Sequence, residues 1–134
     1  VDLLNGEPGI YSARYAGDRA SDERNNQKLI QRLKMKASSA KAEITAEKDP
    51  DRLSLARFVC ELVLYDPNKN EPIHARGEWE GVIIEHPRGK QGFGYDPHFY
   101  LPELGLTAAE LSPELKNRIS HRGKALQKLI RHLN

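Results

Sequence analysis

The chain has 134 residues, enough for one domain with a modest core, and its 38% hydrophobic and 30% charged content excludes a disordered or fibrous polypeptide. Its 21 basic and 19 acidic residues leave a formal charge of +2, too little to hold nucleic acid by charge alone. A single cysteine, Cys60, excludes an internal disulfide and fits a reducing cytoplasm, and no apolar run approaches the length of a membrane span.

Val1 to Leu4 reads as the tail of a strand, followed by the turn cluster Asn5-Gly6-Glu7-Pro8-Gly9. Ile10 to Gly17 reads as a turn into a helix, with Arg14 either solvated or, supported by Ser12, in contact with an anion. Ser21 or Asp22 caps the next helix, with Asp22 and Glu23 in its first turn. Leu29, Ile30 and Leu33 recur at helical spacing and face a core, and the helix ends near 35–39. Residues 36–54 are polar, contain Pro50, and read as a loop or a helical extension.

Ala56 to Tyr65 alternates as a strand, with apolar residues in both sets, which predicts cover on both faces, at least over its middle. Asp66 to Pro72 is turn chemistry. The return strand runs from Ile73 to Ile84, with Gly77 and Gly81 allowing bulges, and Trp79 is an apolar anchor on it. Thr107 caps a short turn, Ser112 caps a helix with Pro113 at its first position, and the last helix starts at Ser120. Ala125, Leu126, Leu129, Ile130 and Leu133 form its apolar face. The pattern gives an α/β fold, a mixed and largely antiparallel sheet with flanking helices, in one domain over 1–134.

The most informative run is Lys90-Gln91-Gly92-Phe93-Gly94-Tyr95-Asp96-Pro97. Glycines at 89, 92 and 94 permit positive φ and close approach of a ligand. Phe93 and Tyr95 place two aromatic faces on that frame, and Asp96 adds an acceptor. A flat ring fits such a loop. A Gly-rich hairpin whose aromatics join the core fits it equally. Lys116, His121 and Arg122 gather donors at a helix start, suited to a carbonyl or phosphate oxygen or simply to solvent. His74, His86, His98 and His132 make no metal-ligand spacing with cysteine or a carboxylate pair. Ser12 has no base partner, and Cys60 sits in a strand that reads as buried, so no covalent nucleophile stands out.

Taken in order, Gly6-x-Pro8-Gly9-x-Tyr11-Ser12-Ala13-Arg14-Tyr15, Gly77-x-Trp79-x-Gly81, Gly92-Phe93-Gly94-Tyr95-Asp96-Pro97-x-Phe99, Thr107-Ala108-Ala109-Glu110-Leu111, and Lys116 with Ile119-Ser120-His121-Arg122-Gly123-x-Ala125 resemble the inosine triphosphate pyrophosphatase family in its bacterial dITP/XTP form. The resemblance covers essentially the whole chain. It implies hydrolysis of deaminated purine nucleoside triphosphates to monophosphate and pyrophosphate with Mg²⁺, in a cytoplasmic homodimer. It implies that Phe93 stacks on the purine and that Gly94, Tyr95 and Asp96 complete that wall. Lys116, His121 and Arg122 then surround the base, and Arg14 is a weaker candidate for a phosphate. The family pattern opens before Val1 with a Thr/Ser-Gly-Asn-x-x-Lys loop and acidic metal ligands. Catalytic and metal-binding residues are therefore expected N-terminal to Val1, and no catalytic or metal residue is assigned within the chain. Two other readings are a purine-nucleotide-binding fragment without catalysis and an RNA-binding domain using Arg14 and Tyr15, against which the low charge speaks.

Overall fold

A computed structural model describes residues 1–39 and 49–133. Part of the polar 36–54 stretch, residues 40–48, lies outside the described residues. Helix α1 spans Asp22–Ser39, strand β1 Arg52–Leu64, β2 Ile73–Ile84, β3 Phe99–Leu101 and β4 Leu106–Thr107, followed by α2, Pro113–Ile119, and α3, His121–Leu133. The strands form one four-stranded sheet in the order β1-β2-β3-β4, with β2–β3 and β3–β4 antiparallel. The α/β reading with a largely antiparallel sheet therefore holds. No described helix is long and apolar enough to cross a membrane.

The chain divides into two compact units. The first holds Val1–Ala56 and Gly81–Leu111, the second Arg57–Glu80 and Ser112–Asn134. In the first unit Leu29 and Leu33 of α1 are fully buried, as their spacing requires, with Leu4, Phe99 and Thr107. The Val1–Leu4 segment is a 3-10 turn over Asp2–Leu4, not the end of a strand. Its backbone bonds close locally, and the Leu3 amide takes the Ser54 hydroxyl. Ile10–Gly17 likewise holds a 3-10 helix, Gly9–Arg14, before α1. Asn25 replaces the missing backbone partners there. Its buried carboxamide accepts from the Ala16 amide and donates to the Ala13 carbonyl.

Strand β1 begins four residues before the expected start, because Leu53 and Ser54 are buried and the Ser54 hydroxyl has partners. The expectation of cover on both faces fails over the outer half of this strand. Val59 and Val63 are 42% and 55% exposed, and Cys60 is half-buried rather than buried. In the second unit Trp79 and Ala125 are buried, but Leu126, Ile130 and Leu133 stand largely in water, so most of the α3 apolar face is uncovered. Gly77 has a further role. It lets the α3 backbone come close: a Cβ there would lie 2.1 Å from the His121 carbonyl oxygen. Thr107 with Glu110, Ser112 and Ser120 cap the following turns as their sequence positions require.

Candidate functional site

The loop 92–97 lies in the first unit and carries the half-exposed ring of Phe93 on an anchored backbone. Gly92 and Gly94 take φ of +80° and +60°, which only glycine adopts without strain. The chain turns between Phe93 and Asp96 through two bonds. The Asp96 amide donates to the Phe93 carbonyl at 3.2 Å, and the buried Asp96 carboxylate accepts from the Phe93 amide at 3.0 Å. Tyr95 turns inward. Its hydroxyl donates to the Ser12 carbonyl at 2.7 Å, and burial, with the Tyr15 phenol and the Asp22 carboxylate adding repulsion, pushes its pKa up to about 12. It is therefore a neutral donor at any physiological pH. The two aromatics divide the work: Tyr95 joins the core and Phe93, 56% exposed, faces outward.

A cleft of about 620 Å³ opens beside this loop. Phe93, Ile30, Pro87 and Pro97 supply apolar lining, and Asp22, Asn26 and Lys90 supply polar groups. Every lining residue belongs to the first unit. Helix α1 reaches the loop directly. Asp22 accepts from the Gly94 amide at 2.8 Å, and Asn26 donates to the Gly94 carbonyl at 3.1 Å. Sequence reasoning placed Asp22 only at the start of a helix, as cap or first-turn residue, and missed Asn26. Their four-residue spacing was the available signal.

His98, at the exit of the loop, is buried and its Nδ1 lies 2.8 Å from the Ile84 carbonyl oxygen. Burial lowers its pKa, the Ile84 carbonyl and Asp51 oppose that shift, and His86 reinforces it. The unfolded chain then takes up the proton first, near the ordinary value of about 6.5. Stability is expected to be full at pH 7.5 and to fall as pH drops below about 6.5. Thermal midpoints measured from pH 7.5 to 5 check this, and His98→Gln should flatten part of the slope. An unchanged slope would overturn it.

Arg14 also lies in the first unit, exposed, with its guanidinium 4.9 Å from the centroid of the Tyr11 ring. Next to it in the chain, the Ser12 carbonyl accepts from the Tyr95 hydroxyl. Lys116, His121 and Arg122 lie in the second unit: Lys116 on α2, the other two opening α3. The Ser120 hydroxyl accepts from the Gly123 amide and fixes this helix start. The His121 ring stacks 4.9 Å from Phe58 and 6.3 Å from Trp79, while Arg122 is exposed. The structure thus groups the loop residues with Arg14 in one unit and the three donors in the other.

One cluster escaped the spacing argument. Asp51, Glu85 and His86 bring a ligand atom each within 4.8 Å of one another. Asp51 Oδ1 already lies 2.7 Å from His86 Nδ1 and accepts from the His86 amide, and Glu85 holds the Lys34 ammonium at 2.7 Å. Mg²⁺ demands an octahedron of oxygens and keeps its waters. An imidazole among the ligands and an ammonium paired with Glu85 do not fit it, and this cluster is not assigned to the metal.

A profile of the Ham1 family matches residues 1–132. The dITP/XTP pyrophosphatase of Nitrosomonas europaea is 49% identical over 135 residues, which take in 100% of this chain and 59% of that protein. The dITP/XTP pyrophosphatase of Vibrio cholerae is 48% identical, covering 98% and 60% of the two chains. The solved HAM1 protein of Coxiella burnetii superposes with a TM-score of 0.81 at 43% identity, over 98% of this chain and 61% of that one. The chain thus spans about three fifths of the length of the relatives it matches.

Proposed function

The chain belongs to the Ham1 family, and we propose that it serves the hydrolysis of deaminated purine nucleoside triphosphates, ITP, dITP and XTP, to monophosphate and pyrophosphate. The observation that carries this reading is the loop 92–97, a fixed frame that leaves one aromatic ring, Phe93, half in water. A purine has two flat faces, and stacking on an aromatic side chain contributes about 1–3 kcal/mol per base. The curated relatives named above, alike over the whole chain, supply the substrate class.

Phe93 is proposed to stack on the base, with Gly94, Tyr95 and Asp96 holding it there. Lys116, His121 and Arg122 are proposed as donors to the base, and Arg14 as a lesser phosphate contact. Hypoxanthine and xanthine present an acceptor oxygen at position 6, where adenine presents an amine. A donor set pairs with the oxygen and opposes the amine, and each unpaired polar group costs about 1–3 kcal/mol. Water attack at the α-phosphorus breaks the α–β anhydride bond, and pyrophosphate leaves. Mg²⁺ is the proposed metal, on ligands other than the Asp51–Glu85–His86 cluster. A homodimer in the cytoplasm completes the proposal, and the uncovered apolar residues Val59 and Val63 suit such an interface.

Titration calorimetry tests the base preference. IMP is expected to bind at least about tenfold more tightly than AMP. In Arg122→Ala that preference should vanish while the thermal midpoint moves by less than about 2 °C, because an exposed side chain contributes little to stability. Equal affinity for IMP and AMP in the unaltered protein would overturn the reading. Loss of stability in step with loss of preference would make Arg122 a structural residue. In turnover, orthophosphate and IDP in place of pyrophosphate and IMP would overturn the reaction assigned.

A further inference from the structure

The peptide groups on either side of Gly94, the residue after Phe93, are held by a helix far away in sequence. Gly94 offers its amide to Asp22 Oδ2 at 2.8 Å and its carbonyl to Asn26 Nδ2 at 3.1 Å. Asp22 and Asn26 are one helical turn apart on α1 and project from the same face. One glycine thus has both backbone groups taken by side chains of one helix. Its φ of +60° is what turns both groups to that side. A Cβ at Gly94 would meet nothing within 4 Å, so glycine is there for conformation and not for space.

The helix can spare these side chains. Ser21 Oγ accepts from the Arg24 amide and does the capping, which leaves the Asp22 carboxylate for the loop. Helix α1 is in turn held through the buried Leu29 and Leu33. A rigid element therefore fixes the peptide next to the exposed ring. An exposed loop with two positive-φ glycines would otherwise sample many orientations of that ring, and a ligand would have to order it on binding.

We propose that Asp22 and Asn26 are positioning residues that grip Gly94 from α1 and hold Phe93 in the orientation that stacks on the base. This rests on the base-stacking role proposed above for Phe93, and it predicts that base affinity depends on two residues that need not touch the base.

The test uses inosine, which is uncharged, so that losing the Asp22 carboxylate brings no electrostatic gain. Inosine affinity is measured by NMR titration of the whole chain, together with amide exchange at Phe93, Gly94 and Tyr95. Asp22→Ala and Asn26→Ala are each expected to weaken inosine binding about tenfold and to speed exchange at Gly94 by at least as much. Asp22→Asn keeps an acceptor and should restore affinity to within about threefold of the unaltered chain. Faster exchange with unchanged affinity would overturn the inference while leaving the base reading intact. Unchanged exchange at Gly94 in both alanine variants would also overturn it. If the unaltered chain does not bind inosine, the base reading falls and this inference falls with it. A general loss of fold would show as faster exchange throughout α1, and Asp22→Asn, which keeps both the helix and the acceptor, then decides.

Discussion

Replacing Gly77 by alanine is expected to destabilise the second unit by at least about 3 kcal/mol. The new Cβ would lie 2.1 Å from the His121 carbonyl oxygen and 2.7 Å from the Ala125 amide nitrogen. Both atoms are main chain in the first turn and a half of α3, so no side chain can swing aside. Relief requires lifting α3 from β2, which uncovers Ala125, now fully buried. Gly105→Ala is the matched comparison. Gly105 has φ of +67° and open space around it, so alanine meets only backbone strain of about 1 kcal/mol. Urea unfolding followed by circular dichroism measures both. A cost at Gly77 no greater than at Gly105 would show that the approach of strand and helix is loose. His121 and Arg122, both proposed as donors to the base, occupy the same helix start, and displacing α3 moves both.

The second large effect is expected at Phe93. Phe93→Ala should weaken inosine nucleotide binding by about 10- to 100-fold, the range of one base–aromatic stack. It should cost little stability, since Phe93 is an exposed residue and its truncation opens no buried cavity. Phe93→Trp retains a flat face and should retain most of the affinity. Calorimetry for binding and thermal melts for stability separate the two quantities. If Phe93→Ala binds as tightly as the unaltered protein, the ring is not a stacking platform. A loss of several kcal/mol in stability would make it part of the core, the role that Tyr95 fills instead.

Local chemistry was legible in the sequence, and distant pairing was not. β2 occupies Ile73–Ile84, where its residues were read, because alternation and the flanking turn depend only on neighbours. The Ser112–Pro113 start of α2 and the Thr107 cap are equally local. The two aromatics of the central loop could not be told apart. The core position of Tyr95 depends on Ser12, 83 residues away, and the anchoring of Gly94 on Asp22, 72 residues away. Asp51 and His86 meet across 35 residues, so spacing rules for metal ligands were blind to them. Gly77 looked like a place for a strand to bend, whereas its constraint comes from a helix 44 residues downstream. β1 misled in the other direction. Its valines at 59 and 63 belong to a strand pattern, yet nothing in the pattern says whether the second face has a cover.

Trp79 is the chain's only tryptophan, and its indole lies parallel to the His121 imidazole, 6.3 Å between centroids and 18° between planes. Phe58 stacks on the same imidazole from 4.9 Å. Indole emission responds to the charge and orientation of a neighbouring aromatic ring. The fold has therefore built an optical reporter into the chain, one chromophore wide, beside one of the residues proposed to select the base. Its signal needs no label, and because the indole is only 4% exposed, bulk solvent contributes little to it.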